Sequence, residues 1–186
     1  MLKVILAGGG TAGHVNPALA ISEIIRELYP DVKFLYVGTP NGIERDLVKK
    51  AGFDFAPMEV AGFQRKISVE NLKRNAKAAM YLLKSGKRAK AIINDFKPDL
   101  VIGTGGYVSG PIVLQAAKMG IKTLIHEQNA FPGVTTKVLS KKVDRVMLTV
   151  PKAMEHLDCD ESKCVVTGLP VRSGFSKAKI GKTEAR

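Results

Sequence analysis

Tryptophan is absent, aromatic residues make up 6% of the chain, and 186 residues hold only two cysteines and three histidines. Scarce aromatics argue against a stacking platform for nucleic acid, so no nucleic-acid partner is expected. The two thiols, Cys159 and Cys164, stand without clustered histidines, which makes a poor metal site. One disulfide would be unusual in the cytosol, so ordinary thiols are expected. No apolar run approaches the ~18 residues of a spanning helix. The opening MLKVILAGGG is too short for a leader and runs straight into a glycine loop, so it reads as the first strand of a cytosolic protein. Acidic residues are also few, 17 against 29 basic, for a net charge of +12. Ten basic residues and two acidic ones lie between Val60 and Pro98, so the excess is concentrated there. Such local charge marks a docking surface; of the partners it invites, nucleic acid, a membrane or a phosphorylated substrate, the scarce aromatics count against the first.

The length suits one domain with a proper core. Apolar runs predict strands over 3–7, 33–37, 54–60 (weakened by Pro57), 99–103, 122–126, 144–149 and 164–167. Amphipathic spacing predicts helices over 17–28, 42–51, 70–95, 111–119, 134–141 and 151–157. The unbroken runs VIL, LVI and VML suit strands covered on both faces. The expected class is therefore α/β, a Rossmann-like doubly wound parallel sheet of about seven strands, with its ligands at the carboxyl ends of the strands. Residues 1–172 form that domain, and 173–186, polar and basic, read as a linker or frayed tail.

Residues 4–16, VILAGGGTAGHVN, contain the spacing G-x-G-x-x-G. A dinucleotide fingerprint needs its third glycine in the first turn of the helix and an acid at the end of the second strand. Asn16 as cap and Pro17 as first helical residue would start the helix too late. Tyr36-Val37-Gly38-Thr39 supplies no acid, and Glu44 comes too far on. A second glycine loop, GTGGYVSGP, repeats the plan of strand, loop, proline and helix, so two helix N-termini face one edge of the sheet and can hold an anion. His14 stands beside the first. As a largely neutral imidazole it can take a proton from a sugar hydroxyl, or it can simply bond the loop backbone; both readings stand. His126-Glu127-Gln128-Asn129 follow a buried strand, and four consecutive polar residues there suit recognition of hydroxyls and amides. Neighbours on a strand point to opposite faces, so His126 and Glu127 do not naturally chelate one ion, and no acid pair like D-x-D is expected to hold a divalent cation at a nucleotide diphosphate. No metal or cofactor is required.

GGGTAGHVNPALA, GTGGYVSGP, HEQNAFPG and GLPVR, in that order and spacing, closely resemble the N-terminal half of the bacterial peptidoglycan glycosyltransferases. These transfer N-acetylglucosamine from UDP-N-acetylglucosamine to the undecaprenyl-pyrophosphoryl-N-acetylmuramoyl-pentapeptide lipid. The resemblance implies one half of a two-domain GT-B fold, the acceptor- and membrane-binding half, with the donor-binding domain absent and no turnover expected from this half alone. It implies His14 as general base, with Glu127 also catalytic. It implies donor contacts from Thr11, Ala12, Gly13, Asn129 and Arg172. Acceptor contacts would come from Gly105, Gly106, Tyr107, His126, Glu127 and Asn129. Ala12 and Leu169 stand where the family usually has Gly and Asn. The alternatives from other classes are a related GT-B transferase with another lipid acceptor, a nicotinamide-dependent oxidoreductase, and a non-catalytic membrane adaptor.

Within 70–95, Leu82, Gly86, Ala89, Ile93 and Phe96 recur at helical spacing and suit the core. Leu72, Ala76, Met80 and Leu83 form a second stripe beside Lys73, Lys77, Lys84 and Lys87. Apolar residues ringed by lysines suit shallow insertion at an anionic bilayer, each surface cation adding roughly 1 kcal/mol. A solvated helix with Met80 and Leu83 in the core is the alternative. The resemblance favours the membrane, and a peripheral position on the cytoplasmic face of the cell membrane is expected.

Overall fold

The apolar runs become strands and the amphipathic segments between them cover the sheet. The computed structural model describes residues 1–60 and 85–173. The chain runs β1 (Lys3–Ala7), α1 (Ala12–Leu28), β2 (Lys33–Gly38), α2 (Ile43–Lys50) and β3 (Asp54–Pro57). It continues through α3 (residues 85–96), β4 (Leu100–Gly103), α4 (Ser109–Lys118), β5 (Lys122–Glu127), α5 (Val134–Ser140), β6 (Arg145–Leu148) and β7 (Cys164–Val166). Pro151–His156 and Glu161–Lys163 form 3-10 turns. All strand pairs are parallel, in the order β3-β2-β1-β4-β5-β6-β7.

Alternation along β1 sends Val4 and Leu6 to one face and Ile5 and Ala7 to the other, and all four are fully buried. Val4 and Leu6 join Val15, Ala18 and Leu19 of α1 and Val48 of α2. Ile5 and Ala7 join Ala89, Ile92 and Ile93 of α3, Ile112, Val113 and Ala116 of α4, and Leu139 of α5. Each Val, Leu or Ile among them contributes roughly 1.5–3 kcal/mol on burial. The strand order reverses direction between β1 and β4, so a crevice opens outside the carboxyl ends of those two strands. Both glycine loops leave the sheet there.

Several boundaries differ from the sequence reading. Helix α1 begins at Ala12, not Pro17, with Thr11 at its N-cap and Pro17 inside. Asn16 is therefore not a cap, and Gly13 does lie in the first turn. A single proline so near the helix start forfeits one backbone bond. Likewise α4 begins at Ser109, and Pro111 occupies its first turn. Pro57 ends β3, and 151–157 tightens into a 3-10 turn. Of the helix expected over 70–95, the part over 85–96 is helical, with Ala89 and Ile93 in the core. Leu72, Lys73, Ala76, Lys77, Met80, Leu83 and Lys84 lie outside the described residues, as does 174–186. Lys87 is exposed on α3. Among the described residues no helix is long and apolar enough to cross a membrane.

Candidate active site

The two glycine loops are joined backbone to backbone. Thr104 N–H donates to Ala7 O at 2.9 Å, prolonging the β1–β4 ladder, and Gly9 N–H donates to Gly105 O at 3.3 Å. The Thr104 hydroxyl donates to His14 O at 2.7 Å, tying the second loop to the first turn of α1. A Cβ on Gly105 would stand 2.6 Å from His14 Cδ2 and 2.9 Å from its Nε2. The imidazole of His14 thus lies flush against the second loop, half-buried.

His14 Nδ1 is 2.9 Å from Gly9 O, and the Thr11 hydroxyl is a looser 3.4 Å away. A carbonyl only accepts, so Nδ1 carries the proton and Nε2 of the neutral ring is an acceptor. The two readings of His14 are therefore compatible: one nitrogen bonds the loop, and the other keeps a lone pair at the crevice.

Behind the first loop sits a residue the sequence reading set aside. Glu44, in the first turn of α2, is fully buried. Its Oε1 accepts from Thr39 N (2.8 Å) and Thr39 Oγ1 (2.6 Å), and its Oε2 accepts from Gly10 N (3.1 Å). Burial alone would raise its pKa, but the Thr39 and Gly10 donors outweigh burial and hold it below the ordinary 4.5. The Tyr36 hydroxyl donates to Gly8 O at 2.9 Å, and burial, with Glu44 nearby, pushes that phenol well above its usual range. A carboxylate with a depressed folded-state pKa stabilises the fold above its unfolded value, and that stability is lost as pH falls through the folded value. Glu23 and Asp144 are shifted the same way. Urea midpoints of this chain are accordingly expected to fall below about pH 4.5, and Glu44→Gln is expected to shallow that decline.

The HEQN cluster is an inward-facing brace. His126 is buried; its Nε2 donates to Gly168 O at 3.1 Å, and its Nδ1 accepts from Gln128 Nε2 at 3.1 Å. Burial lowers its pKa against the opposing pull of Gly168 O and Glu127, so the ring stays neutral. Glu127 is 3% exposed and accepts from Asn129 N, Asn129 Nδ2, Gly133 N and Thr136 Oγ1 at 2.6–3.2 Å. Gln128 Nε2 also donates to Thr104 O at 2.9 Å, linking this cluster to the glycine loops. Contrary to the sequence reading, neither His126 nor Glu127 presents its side chain to the crevice. Glu127 spends its oxygens on the loop after β5, His126 spends its nitrogens on Gln128 and on Gly168 beyond β7, and of the four HEQN residues only Asn129 is exposed.

The sequence over most of this domain matches a known family. The N-terminal domain model of glycosyltransferase family 28 matches residues 4–148. The chain belongs to glycosyltransferase family 28. A UDP-N-acetylglucosamine--N-acetylmuramyl-(pentapeptide) pyrophosphoryl-undecaprenol N-acetylglucosamine transferase of Acetivibrio thermocellus is 50% identical over 172 residues, covering 92% of this chain and 45% of that protein. One of the same name from Bacillus subtilis is 45% identical over 184 residues, covering 99% and 49%. The crystal structure of Acinetobacter baumannii MurG superposes with a TM-score of 0.74 at 30% identity, covering 95% of this chain and 48% of that one. The chain thus spans about half the length of the relatives it matches. The nicotinamide-oxidoreductase reading gives way to this family.

Other candidates in this family 28 domain are more scattered. Tyr107, 60% exposed, borders an apolar cleft of about 250 Å³ lined with Pro111, Leu114, Val134 and Val138. Arg172 Nε donates to Glu23 Oε1 at 3.0 Å, and Ser173 N–H donates to Glu23 Oε2 at 2.8 Å. Burial would raise the Glu23 pKa, but Ser173 and Arg172 outweigh it. Glu23 lies eleven residues along α1 from Ala12, about 16 Å by helix rise, so the structure does not bring Arg172 to Thr11, Ala12 and Gly13. The chain's one D-x-D spacing, Asp158 and Asp160, is spent locally: Asp158 pairs with Lys141, and Asp160 caps Ser162 N. Among the described residues no group of three or more His, Cys, Asp or Glu side chains could hold a metal ion. Cys159 and Cys164 are free thiols 3.8 Å apart, and burial, then Cys159, pushes Cys164 up to about 11.

Proposed function

We propose that this chain is the acceptor-binding half of an inverting transferase that moves N-acetylglucosamine from UDP-N-acetylglucosamine to the 4-hydroxyl of undecaprenyl-pyrophosphoryl-N-acetylmuramoyl-pentapeptide. The observation that carries the reading is His14, with Nδ1 on Gly9 O and Nε2 against Gly105, at the one crevice where both glycine loops meet. The names of the relatives supply the donor and acceptor. The acceptor hydroxyl attacks the anomeric carbon from the face opposite UDP, the bond to the UDP oxygen breaks, and Nε2 of His14 takes the proton. The N-termini of α1 and α4 face the phosphates. Thr11, Ala12 and Gly13 lie toward the donor, and Gly105, Gly106, Tyr107 and Asn129 toward the acceptor. His126 and Glu127 act by shaping the loop that carries Asn129. Arg172 reaches a donor only after leaving Glu23.

The apolar cleft beside Tyr107 supports a lipid-linked acceptor, because it adjoins the second glycine loop and is lined by aliphatic side chains. The sequence of Leu72, Ala76, Met80 and Leu83 among Lys73, Lys77, Lys84 and Lys87 supports contact with an anionic membrane on its cytoplasmic face.

Calorimetric titration of this chain with a short-prenyl muramoyl-pyrophosphoryl lipid, with NADH in parallel, tests the reading. Saturable lipid binding is expected, weakened about tenfold or more by Tyr107→Ala, the usual scale for a lost aromatic contact. NADH should give no heat. NADH binding without a lipid response would overturn the reading.

A further inference from the structure

The contacts of Glu44 and of His14 converge on one peptide group. Gly10 N–H and Gly9 C=O belong to the same planar amide, and in a trans amide these two groups point in opposite directions. Glu44 Oε2 takes the N–H at 3.1 Å on one side, and His14 Nδ1 meets the C=O at 2.9 Å on the other. We propose that Glu44 is a positioning residue for His14: its buried carboxylate fixes the orientation of the Gly9–Gly10 peptide and, through it, keeps the ring proton on Nδ1 and Nε2 unprotonated. The consequence for catalysis rests on the reading of His14 as the base.

Two further observations support the clamp. First, this peptide could otherwise turn over. Gly10 has φ +82, glycine allows both orientations of the preceding peptide, and nothing lies within 4 Å of where its Cβ would be. Turned over, Gly9 O would face the Glu44 carboxylate, and Gly10 N–H would face His14 Nδ1. A donor facing Nδ1 demands the opposite tautomer, with the proton on Nε2 and no base at the crevice. Glu44 selects between the two by accepting from the N–H and repelling the carbonyl. Second, the seat is built for the carboxylate. A Cβ on Gly9 would stand 2.4 Å from Glu44 Oε1, and one on Gly42 2.3 Å from Oε2. Polarisation adds to the effect, since a carboxylate on the N–H strengthens the carbonyl as an acceptor for Nδ1–H. Among the described residues the one other partner of Nδ1 is Thr11 Oγ1, and at 3.4 Å it is too distant to set the tautomer.

Glu44→Gln separates these effects. Its single carbonyl oxygen is best placed toward Thr39, which presents two donors, leaving the new NH2 against Gly10 N–H. The test is a long-range 1H–15N correlation of the imidazoles in the labelled 186-residue chain, with His14→Ala to assign the signal. In the native chain, Nδ1 is expected to be protonated and Nε2 bare; an Nε2–H tautomer there overturns the proposal at once. In Glu44→Gln, the Nε2–H tautomer should gain population, and the Gly10 amide should exchange ~10–100-fold faster, as for a lost hydrogen bond to a charged group. Unchanged His14 nitrogens in a folded Glu44→Gln overturn it too. Should that variant fail to fold, Glu44→Asp keeps the charge but draws the oxygens back from Gly10, and the same two outcomes are read from it. Turnover of His14→Ala in a transferase that has both halves tests the base role separately. If the ring nitrogens follow Glu44 while His14→Ala keeps full turnover, the clamp stands and the base reading falls.

Discussion

His14→Ala, made in a transferase that has both halves, is expected to lower turnover by on the order of 10²–10⁴-fold, the usual contribution of a general base. The expectation follows from the two ends of the ring. Nδ1 is spent on Gly9 O, so the ring is oriented before any substrate arrives, and Nε2 lies against Gly105 where the two loops meet. Removing the ring also removes its packing on Gly105, but leaves the Thr104-to-His14 carbonyl bond, which is a main-chain contact. The loops should therefore stay joined, and the loss should fall on turnover with the Michaelis constants little changed. Steady-state kinetics with both substrates checks this. Near-normal turnover would take His14 out of the proton transfer.

The parts of this site that were legible in the sequence are those set by local pattern. VIL, LVI and VML announce strands covered on both faces, and a parallel sheet places their carboxyl ends together, so the glycine loops and His14 could be assigned to one edge. The start of α1 was not legible. Asn16-Pro17 has the chemistry of a cap and a first helical residue, yet the chain is already helical from Ala12. Thr104, on the second glycine loop 90 residues away, holds the His14 carbonyl in the first turn of this helix, a tertiary contact no window of sequence contains. Glu44 was passed over for a related reason. It sits on α2, not at the end of β2, so it fails as a ribose ligand, while its true partner, Gly10, is 34 residues back. Polar residues at the end of a buried strand suggested ligand contacts, but Gly168 and Thr136 return to cover His126 and Glu127. The donors Gly133 and Thr136 downstream were the available hint that Glu127 closes its own loop.

Gly106→Ala is expected to cost the fold about 3–5 kcal/mol, among the largest effects of any single methyl in this chain. Two causes add. The residue has φ +77, where an L side chain is strained by roughly 1–2 kcal/mol. The new Cβ would also stand 2.3 Å from Gly9 O and 3.1 Å from Gly9 N, and neither atom can retreat cheaply. Gly9 N–H is donated to Gly105 O, and Gly9 O accepts from His14. Overpacking against fixed backbone costs more than overpacking against a side chain that can rotate away. Gly120→Ala is the control: its φ is +73, nearly the same, but nothing lies within 4 Å of its Cβ. It should lose only the conformational part, about 1 kcal/mol. The difference between the two urea midpoints therefore isolates the contact between the loops. Equal losses would mean that the loops can part without penalty, and His14 would then have no fixed wall against which to hold Nε2.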